Sequence, residues 1–477
     1  MTDYRPDVNL KPRLNVISQD NLEEIHGATL ELMERTGVKI DHAEALELLD
    51  GAGASVDGNR VHIPAWLVEE SVRKAPSRVV MGKRNGDRSV ILERDRSWFG
   101  PTLDCVDYLV PFTAERRSFT LEDVRTTATV LDALPNYHWG LTFGLAKDVP
   151  PNIADRMVLK EAFKYTEKPI VVSCKDMNSL EDIYEMIVLL AGNEKRIRHS
   201  PNLAVLIDPI SPMLFPNDAV EKIIFCARKG IPQICFSAPQ SGSTAPSTLA
   251  GTIVEASAEA LTGLVLAQTA RQGAPIIYGG FPTVMDMRTT VFSYGAPEMS
   301  LMSAAMASLA HYYRLPSFGT AGCSDSKLPD SQAAAEATYS CFSSCLSGAN
   351  MIHDSGLLDH GSMVSPAYMV LVSEILEMIQ HYMRGVPVND DTLALEIIHS
   401  VGPGGHFMDQ KHTMDHYREV WYSNLFDRSI YDTWLEQGGR RFNERLIEQT
   451  LATIEHEPEL LSEALCKELD RMAASWK

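Results

Sequence analysis

Eight short apolar runs, each followed by a helix-like stretch, constrain this chain more than any other feature. They are "SWFGPT" (97–102), "YHWGLTFG" (137–144), "PIVVSC" (169–174), "LAVLID" (203–208), "QICFSA" (233–238), "PIIYGG" (275–280), "PSFGTAG" (316–322) and "ANMIHD" (349–354). Between them lie "TLEDVRTTATVLDAL" with Thr120 as cap, "SLEDIYEMIVLLAG" with Ser179 as cap, and a long small-residue helix over residues 247–272. Runs buried on both faces and joined by helical crossovers specify parallel strands. Eight such units over about 270 residues match the count and length of a (β/α)8 barrel. A doubly wound open sheet uses the same alternation, but no strand here leads into a glycine-rich nucleotide-binding turn. The expected fold is α/β: a (β/α)8 TIM barrel over residues 96–384, an N-terminal α+β cap over 1–95 and a C-terminal helical extension over 385–477.

The cap is read from its end signals. Residues 18–36 open on Ser18, carry Leu22, Ile25, Leu30 and Met33 on one face, and stop at Gly37. A second helix is expected over Ala43–Leu49, and "RVVMGKRNGDRSVILE" places Asn85-Gly86 between two β-branched runs as a hairpin. In the extension, "SPAYMVLVSEILEMIQHYMRG" supplies the eighth helix and Gly402-Pro403-Gly404-Gly405 must be a turn or loop.

A net charge of −20 argues against a nucleic-acid partner, because binding phosphates takes clustered Lys and Arg. The eight cysteines show no CxxC or paired spacing, which reads as reduced thiols. The first residues lack a basic start and an apolar core, and no uncharged apolar stretch is long enough to span a bilayer, so a soluble, cytoplasmic protein with no membrane partner is expected.

In a barrel of this class the chemistry sits at the carboxyl ends of the strands. The residues closing each run are therefore the candidates for substrate binding: Phe99, Thr102 and Asp104, then Trp139, Thr142 and Phe143, Ser173 and Lys175, Asp208 and Ser211, Ser237 and Gln240, Tyr278, Gly280 and Phe281, the loop Cys323 to Lys327 with Asp325, and finally His353 and Asp354. This rim is rich in aromatics and poor in paired bases. Aromatic faces suit a quaternary ammonium; Trp139, Tyr278 and Phe281 read equally as large core residues. His353 reads as a contact for a substrate anion or as a hydrogen-bonded core histidine. Cys323 has no assignable base, so no residue is singled out as catalytic. His412 and His416 have the i, i+4 spacing of a metal pair, but no third ligand is evident and no metal is expected.

The segments "GTAGCSDSKLPDSQAAAE", "GANMIHDSGLLDHG", "VGPGGHF" and "HTMDHYREVWYSNLFDR" together resemble the trimethylamine methyltransferase family of corrinoid-dependent enzymes, over essentially the whole chain. The resemblance implies a TIM-barrel enzyme that moves a methyl group from an amine to the Co(I) of a separate corrinoid protein. The cobalamin belongs to that partner, which docks over the barrel mouth; none is bound by this chain, and a homo-oligomer is expected. The founding trimethylamine enzymes carry pyrrolysine, whereas every position here is a standard residue. That resembles the non-pyrrolysine branch, whose substrates are quaternary amines such as glycine betaine, proline betaine and carnitine. A quaternary amine departs as a neutral tertiary amine without prior activation, so the protein's task reduces to positioning and water exclusion. For a betaine, His353 is the residue expected to hold the carboxylate. A metal-dependent barrel lyase or hydrolase and a non-catalytic betaine-binding barrel are the competing readings.

Overall fold

The computed structural model describes residues 12–101, 104–111, 113 and 115–476. Eight parallel strands close on themselves. They are β1 (Trp98–Phe99), β2 (Gly140–Leu141), β3 (Ile170–Ser173), β4 (Leu203–Ile207), β5 (Gln233–Cys235), β6 (Ile276–Ile277), β7 (Phe318–Thr320) and β8 (Met351–His353). β2 to β6 pair in sequence order, β7 pairs β8 and β8 pairs β1. Single parallel bridges, Phe99 to Tyr137 and Tyr278 to Ser317, complete the circle. An open sheet would leave two edges; here each strand has a neighbour on both sides, and the fold is a TIM barrel. All eight apolar runs are barrel strands.

The outer ring consists of α1 (Leu121–Ala133), α2 (Ala154–Tyr165), α3 (Met177–Ala191), α4 (Asn217–Lys229), α5 (Leu249–Ala270), α6 (Pro297–Tyr313), α7 (Ser331–Ser347) and α8 (Pro366–Tyr382). Thr120 caps α1 through a reciprocal capping box with Asp123. α3 starts two residues before the expected Ser179: Asp176 is its cap and accepts the Ser179 N–H, a stronger acceptor in the right place. α5 is long and apolar enough to cross a membrane by length and composition, but 78% of its apolar window is buried inside the protein. Gly263 lets it approach closely, since a Cβ there would lie 2.5 Å from Cys235 on β5.

Before the barrel, Ser18 caps a helix over Gln19–Glu31 that ends in a wider turn at Leu32–Thr36, and Gly37 stops it at φ +74°. The next helix is Ala43–Gly51. Two elements were not expected: a hairpin of Ser55–Asp57 with Arg60–His62, and the helix Ala65–Lys74. The strand Val38–Ile40 joins that hairpin on one side and pairs in parallel with Leu214–Phe215, from the loop after β4, on the other. The region is thus stitched to the barrel through backbone bonds. The Asn85-Gly86 hairpin forms as Val79–Gly82 with Arg88–Leu92, outside the barrel wall. Gly82 donates to Pro201 O at 2.9 Å and Arg84 to Glu167 O at 2.8 Å, just ahead of β4 and β3, so the hairpin covers the amino ends of the strands.

Small rim sheets wall the opposite end. Asp107–Leu109 pairs with Arg116–Ser118 and with Met363–Val364, joining the loops after β1 and β8. Gln240–Ser241 pairs with Thr283–Asp286, joining the loops after β5 and β6. After α8, the helix Phe442–Ile454 packs on α8 and α1, and Glu463–Ala473 packs on α2.

Candidate active site

The carboxyl ends of the strands form two chemically distinct halves. Over β5 to β8 lies an aromatic cluster centred on His353. Its ring stacks on Phe318 of β7 at 4.4 Å and 11°, with Phe236 at 5.4 Å and Phe281 at 5.2 Å. Phe236 and Phe281 stack on each other at 4.9 Å, and Phe292 and Tyr294 extend the cluster from the loop after β6. Trp139, just before β2, reaches it through Phe318, and its Nε1 donates to Trp98 O at 3.0 Å. Gly100 makes room for that indole: a Cβ there would lie 2.5 Å from the ring.

His353 is fully buried. Its Nδ1 lies 2.8 Å from Asp354 Oδ1, but off the hydrogen-bond direction, so among the described residues neither ring nitrogen makes a directed hydrogen bond. A buried polar atom left in this state costs about 1–3 kcal/mol. Asp354 is itself held in the left-handed region, φ +68°. For a residue with a Cβ that conformation costs about 1–2 kcal/mol. It is offset by two donors to Oδ2, Tyr294 O–H at 2.6 Å and Thr320 Oγ1 at 3.3 Å. Burial, with the adjacent Asp354, pushes the Tyr294 phenol well above its ordinary range.

Over β1 to β4 the mouth is acidic. Asp104, in the loop after β1, is pushed up to about 7 by loss of hydration and then by the charge of Asp208 and of Asp155. Asp208, at the end of β4, is open to water yet walled by protein on its other sides, and loss of bulk hydration raises it to about 6 against the pull of Lys222. Lys222 is otherwise engaged: it donates to Cys174 O at 2.5 Å and pairs with Asp218 at 2.6 Å. Ala238, closing β5, is exposed like Asp208, so the mouth is open where the acidic and aromatic halves meet.

The other candidates are dispersed. Tyr278 points into the helix layer, donating to Ser257 of α5 at 2.8 Å and packing on Tyr313 of α6. Phe99 is fully buried and borders a cavity of ≈ 480 Å³ with Trp98, His138, Cys345 and Arg384 near the amino ends of the strands. The placement of Tyr278 follows from strand alternation, which sends successive side chains to opposite faces. Asp325 is a brace between loops: it accepts from Ser293 Oγ, from Tyr294 N at 2.8 Å and Gly295 N at 3.0 Å, and has His360 Nδ1 at 3.0 Å. Burial pushes the Cys323 thiol well up, which keeps it protonated. Gln240 begins the rim sheet after β5, half-buried. Thr102 lies outside the described residues.

Residues absent from the sequence reading complete the site. Phe236 sits inside a run already read as a strand; two residues before Ala238, it had the signal of a strand-end aromatic. Tyr294 and Phe292 lie in a loop with no periodicity to place them. Glu259 of α5 accepts from Met213 N at 2.7 Å, Ser211 Oγ at 2.8 Å and Ser237 Oγ, and so fixes the ends of β4 and β5.

Around the mouth the rim is apolar. Leu145, Ile210, Met287 and Leu328 are 42%, 52%, 71% and 43% exposed, one from each of the loops after β2, β4, β6 and β7.

Comparisons with known proteins identify the family. Residues 2–474 match the family model of trimethylamine methyltransferases. The chain is 36% identical to a trimethylamine methyltransferase of Desulfitobacterium hafniense (strain DSM 10664 / DCB-2) over 455 residues, covering 95% of this chain and 92% of the relative. It is 33% identical to a glycine betaine methyltransferase of Desulfitobacterium hafniense (strain Y51) over 435 residues, covering 90% of each. Among solved structures, the monomethylamine methyltransferase of Methanosarcina barkeri matches with a TM-score of 0.52 at 11% identity, covering 94% of this chain and 89% of that one, a likeness of fold alone. With a family model spanning nearly its full length and relatives above 30% identity over nine-tenths of it, the chain belongs to the trimethylamine methyltransferase family and is a methyltransferase.

Proposed function

We propose that this enzyme transfers a methyl group from a quaternary amine, glycine betaine in the first instance, to the Co(I) of a separate corrinoid protein. Proline betaine and carnitine are the near alternatives. The N–CH3 bond breaks with its electron pair going to nitrogen, so glycine betaine leaves as dimethylglycine; the methyl carbon bonds to cobalt, which supplies the electron pair and becomes Co(III). No proton moves in this step, so the site needs no acid or base.

The observation that carries the reading is the two-sided mouth: aromatic faces over β5 to β8 opposite the carboxyls Asp104 and Asp208. Ring quadrupoles and carboxylates both favour a permanent cation, and a quaternary ammonium keeps its charge at any pH. Phe236 and Phe281 keep 6% and 7% of their surface, where His353 keeps none, and Phe292 at the edge of the cluster is half-buried. A betaine lying there with its ammonium toward the acids turns its carboxylate toward β8, where His353 has ring nitrogens without directed partners. The exposed apolar rim fits a partner that docks over the mouth and departs again. The enzyme itself is read as a homo-oligomer through the apolar segment after α8.

The test is direct. Purified protein is mixed with cob(I)alamin and a panel of amines, and methylation of cobalt is followed by absorbance. Glycine betaine should support it; trimethylamine and dimethylglycine should not. Robust turnover of trimethylamine without glycine betaine activity would overturn the reading in favour of the tertiary amine named for the first relative above.

A further inference from the structure

His412 and His416 lie on one face of the short helix Lys411–His416, with ring centroids 4.3 Å apart. From sequence this pair lacks a third ligand. The fold supplies one: Asp391, from the helix Asp390–Leu393, has its side-chain Oδ2 3.3 Å from His416 Nε2, while its backbone O is 3.1 Å from His412 Nε2. One ligand atom from each of the three residues lies within 4.8 Å of the others. Ligand atoms bound to a tetrahedral Zn²⁺ at 2.0–2.1 Å are about 3.3–3.4 Å apart. The Asp391 to His416 separation already matches that edge, and the half-buried His412 ring closes the rest by rotation.

A fourth residue orients the site. His416 Nδ1 is 2.8 Å from Glu419 Oε1. A carboxylate accepting from Nδ1 fixes the tautomer in which Nε2 carries the lone pair, the usual arrangement behind a metal-bound imidazole. A simple ion pair of His416 with the two carboxylates accounts for that ring alone. The second imidazole, turned to the same aspartate by its 3.1 Å contact with the Asp391 backbone O, brings another ring nitrogen to that one point, which the ion pair alone does not need.

We propose that Asp391, His412 and His416 bind one divalent ion of the zinc class, with water completing the shell. Imidazole and carboxylate ligands suit Zn²⁺, Co²⁺ and Ni²⁺, whereas Ca²⁺ and Mg²⁺ call for oxygen alone. The ion's role is structural. It clips the helix Lys411–His416 to Asp390–Leu393 across the glycine-rich turn, in a segment where no described residue from 381 to 424 is buried. Where a segment has no core, ion binding supplies ordering energy directly. The site is independent of the methyl-transfer reading, since none of its residues belongs to the barrel.

The full-length protein is stripped with chelator, dialysed and titrated with Zn²⁺ by calorimetry, and with Co²⁺ by visible absorbance. The expected result is one equivalent bound with an affinity on the order of micromolar or tighter, and a Co²⁺ spectrum of four-coordinate intensity. Zn²⁺ should also slow proteolysis within residues 385–425. The double variant His412→Ala/His416→Ala and, separately, Asp391→Asn should lose binding at least tenfold while the barrel's circular dichroism is unchanged. No uptake by the stripped protein, or uptake that persists in the double variant, overturns the site.

Discussion

On the proposed reading, substrate recognition turns on His353. It is fully buried among Phe236, Phe281 and Phe318, yet neither ring nitrogen has a directed partner among the described residues. Stacking explains the ring; it does not explain why the ring is imidazole. If the missing partner is the betaine carboxylate, His353→Ala loses a charge-assisted hydrogen bond in a water-poor pocket, about 1.5–3 kcal/mol or ten- to a hundredfold in affinity. His353→Phe keeps the stack and should lose as much, while tetramethylammonium, with no carboxylate, should bind both variants nearly as it binds wild type. Calorimetry with both ligands decides: betaine binding retained in His353→Phe would reduce the residue to packing. The sequence placed His353, Trp139 and Asp104 by the rule that strand ends form the site. It could not separate Phe281, which faces the cluster, from Tyr278, which faces Ser257, because near Gly279-Gly280 the face of each side chain depends on how the short strand twists.

At the scale of elements, the strands were legible because an apolar run bounded by glycine or proline and followed by a capped helix has one stable arrangement when repeated eight times. The hairpin Ser55–Asp57/Arg60–His62 was not, since Val61 is its one buried residue and its strands gain their order from pairing with Val38–Ile40 rather than from their own pattern. α5 shows a further limit. Its composition announced a buried helix, but not that Glu255 and Glu259, one turn apart, would both be buried with it. Glu259 is satisfied by three donors. Glu255 has an Oε1 without a partner, and burial, then the charge of Glu259, raises it to about 7. A carboxyl raised on folding holds its proton more tightly in the native state, so folding pays no charging penalty below the unfolded value near 4.5, a growing one as pH rises to about 7, and a constant one above that. Glu255→Gln should therefore stabilise the enzyme at pH 8, by up to about 3 kcal/mol from the size of that shift, and by little at pH 4.5. Denaturant titrations at the two pH values measure it; an equal gain at both would mean that Glu255 carries no charge penalty.

Across the whole molecule, charge and apolar surface are divided. A net charge of −20 disfavours self-association, and yet more than half of the exposed large apolar side chains among the described residues fall between Tyr382 and Leu435. Val386, Met408, Met414, Ile430 and Tyr431 are each 64–83% exposed. Apolar surfaces of this extent on soluble proteins are normally covered. Two occupants compete: the corrinoid acceptor and a second copy of this chain. On the reading proposed above the acceptor docks on the rim around Ile210 and Met287 and leaves after every transfer, so as the cover of this segment it would expose it again at each turnover. A second copy would cover it permanently, as obligate subunit interfaces of apolar character do. We therefore propose the segment as the contact between copies and the rim as the acceptor's, which makes the two surfaces separable by mutation. Val386→Asp with Ile430→Asp should shift the particle from a multiple of the chain mass to a single chain in sedimentation, with little loss of methyl transfer to free cob(I)alamin. Met287→Asp with Ile210→Asp should leave the mass unchanged and slow transfer to the corrinoid protein at least tenfold, while transfer to free cob(I)alamin, which buries no rim, falls much less. A monomeric wild type, or a rim variant that dissociates the particle, would reverse the assignment.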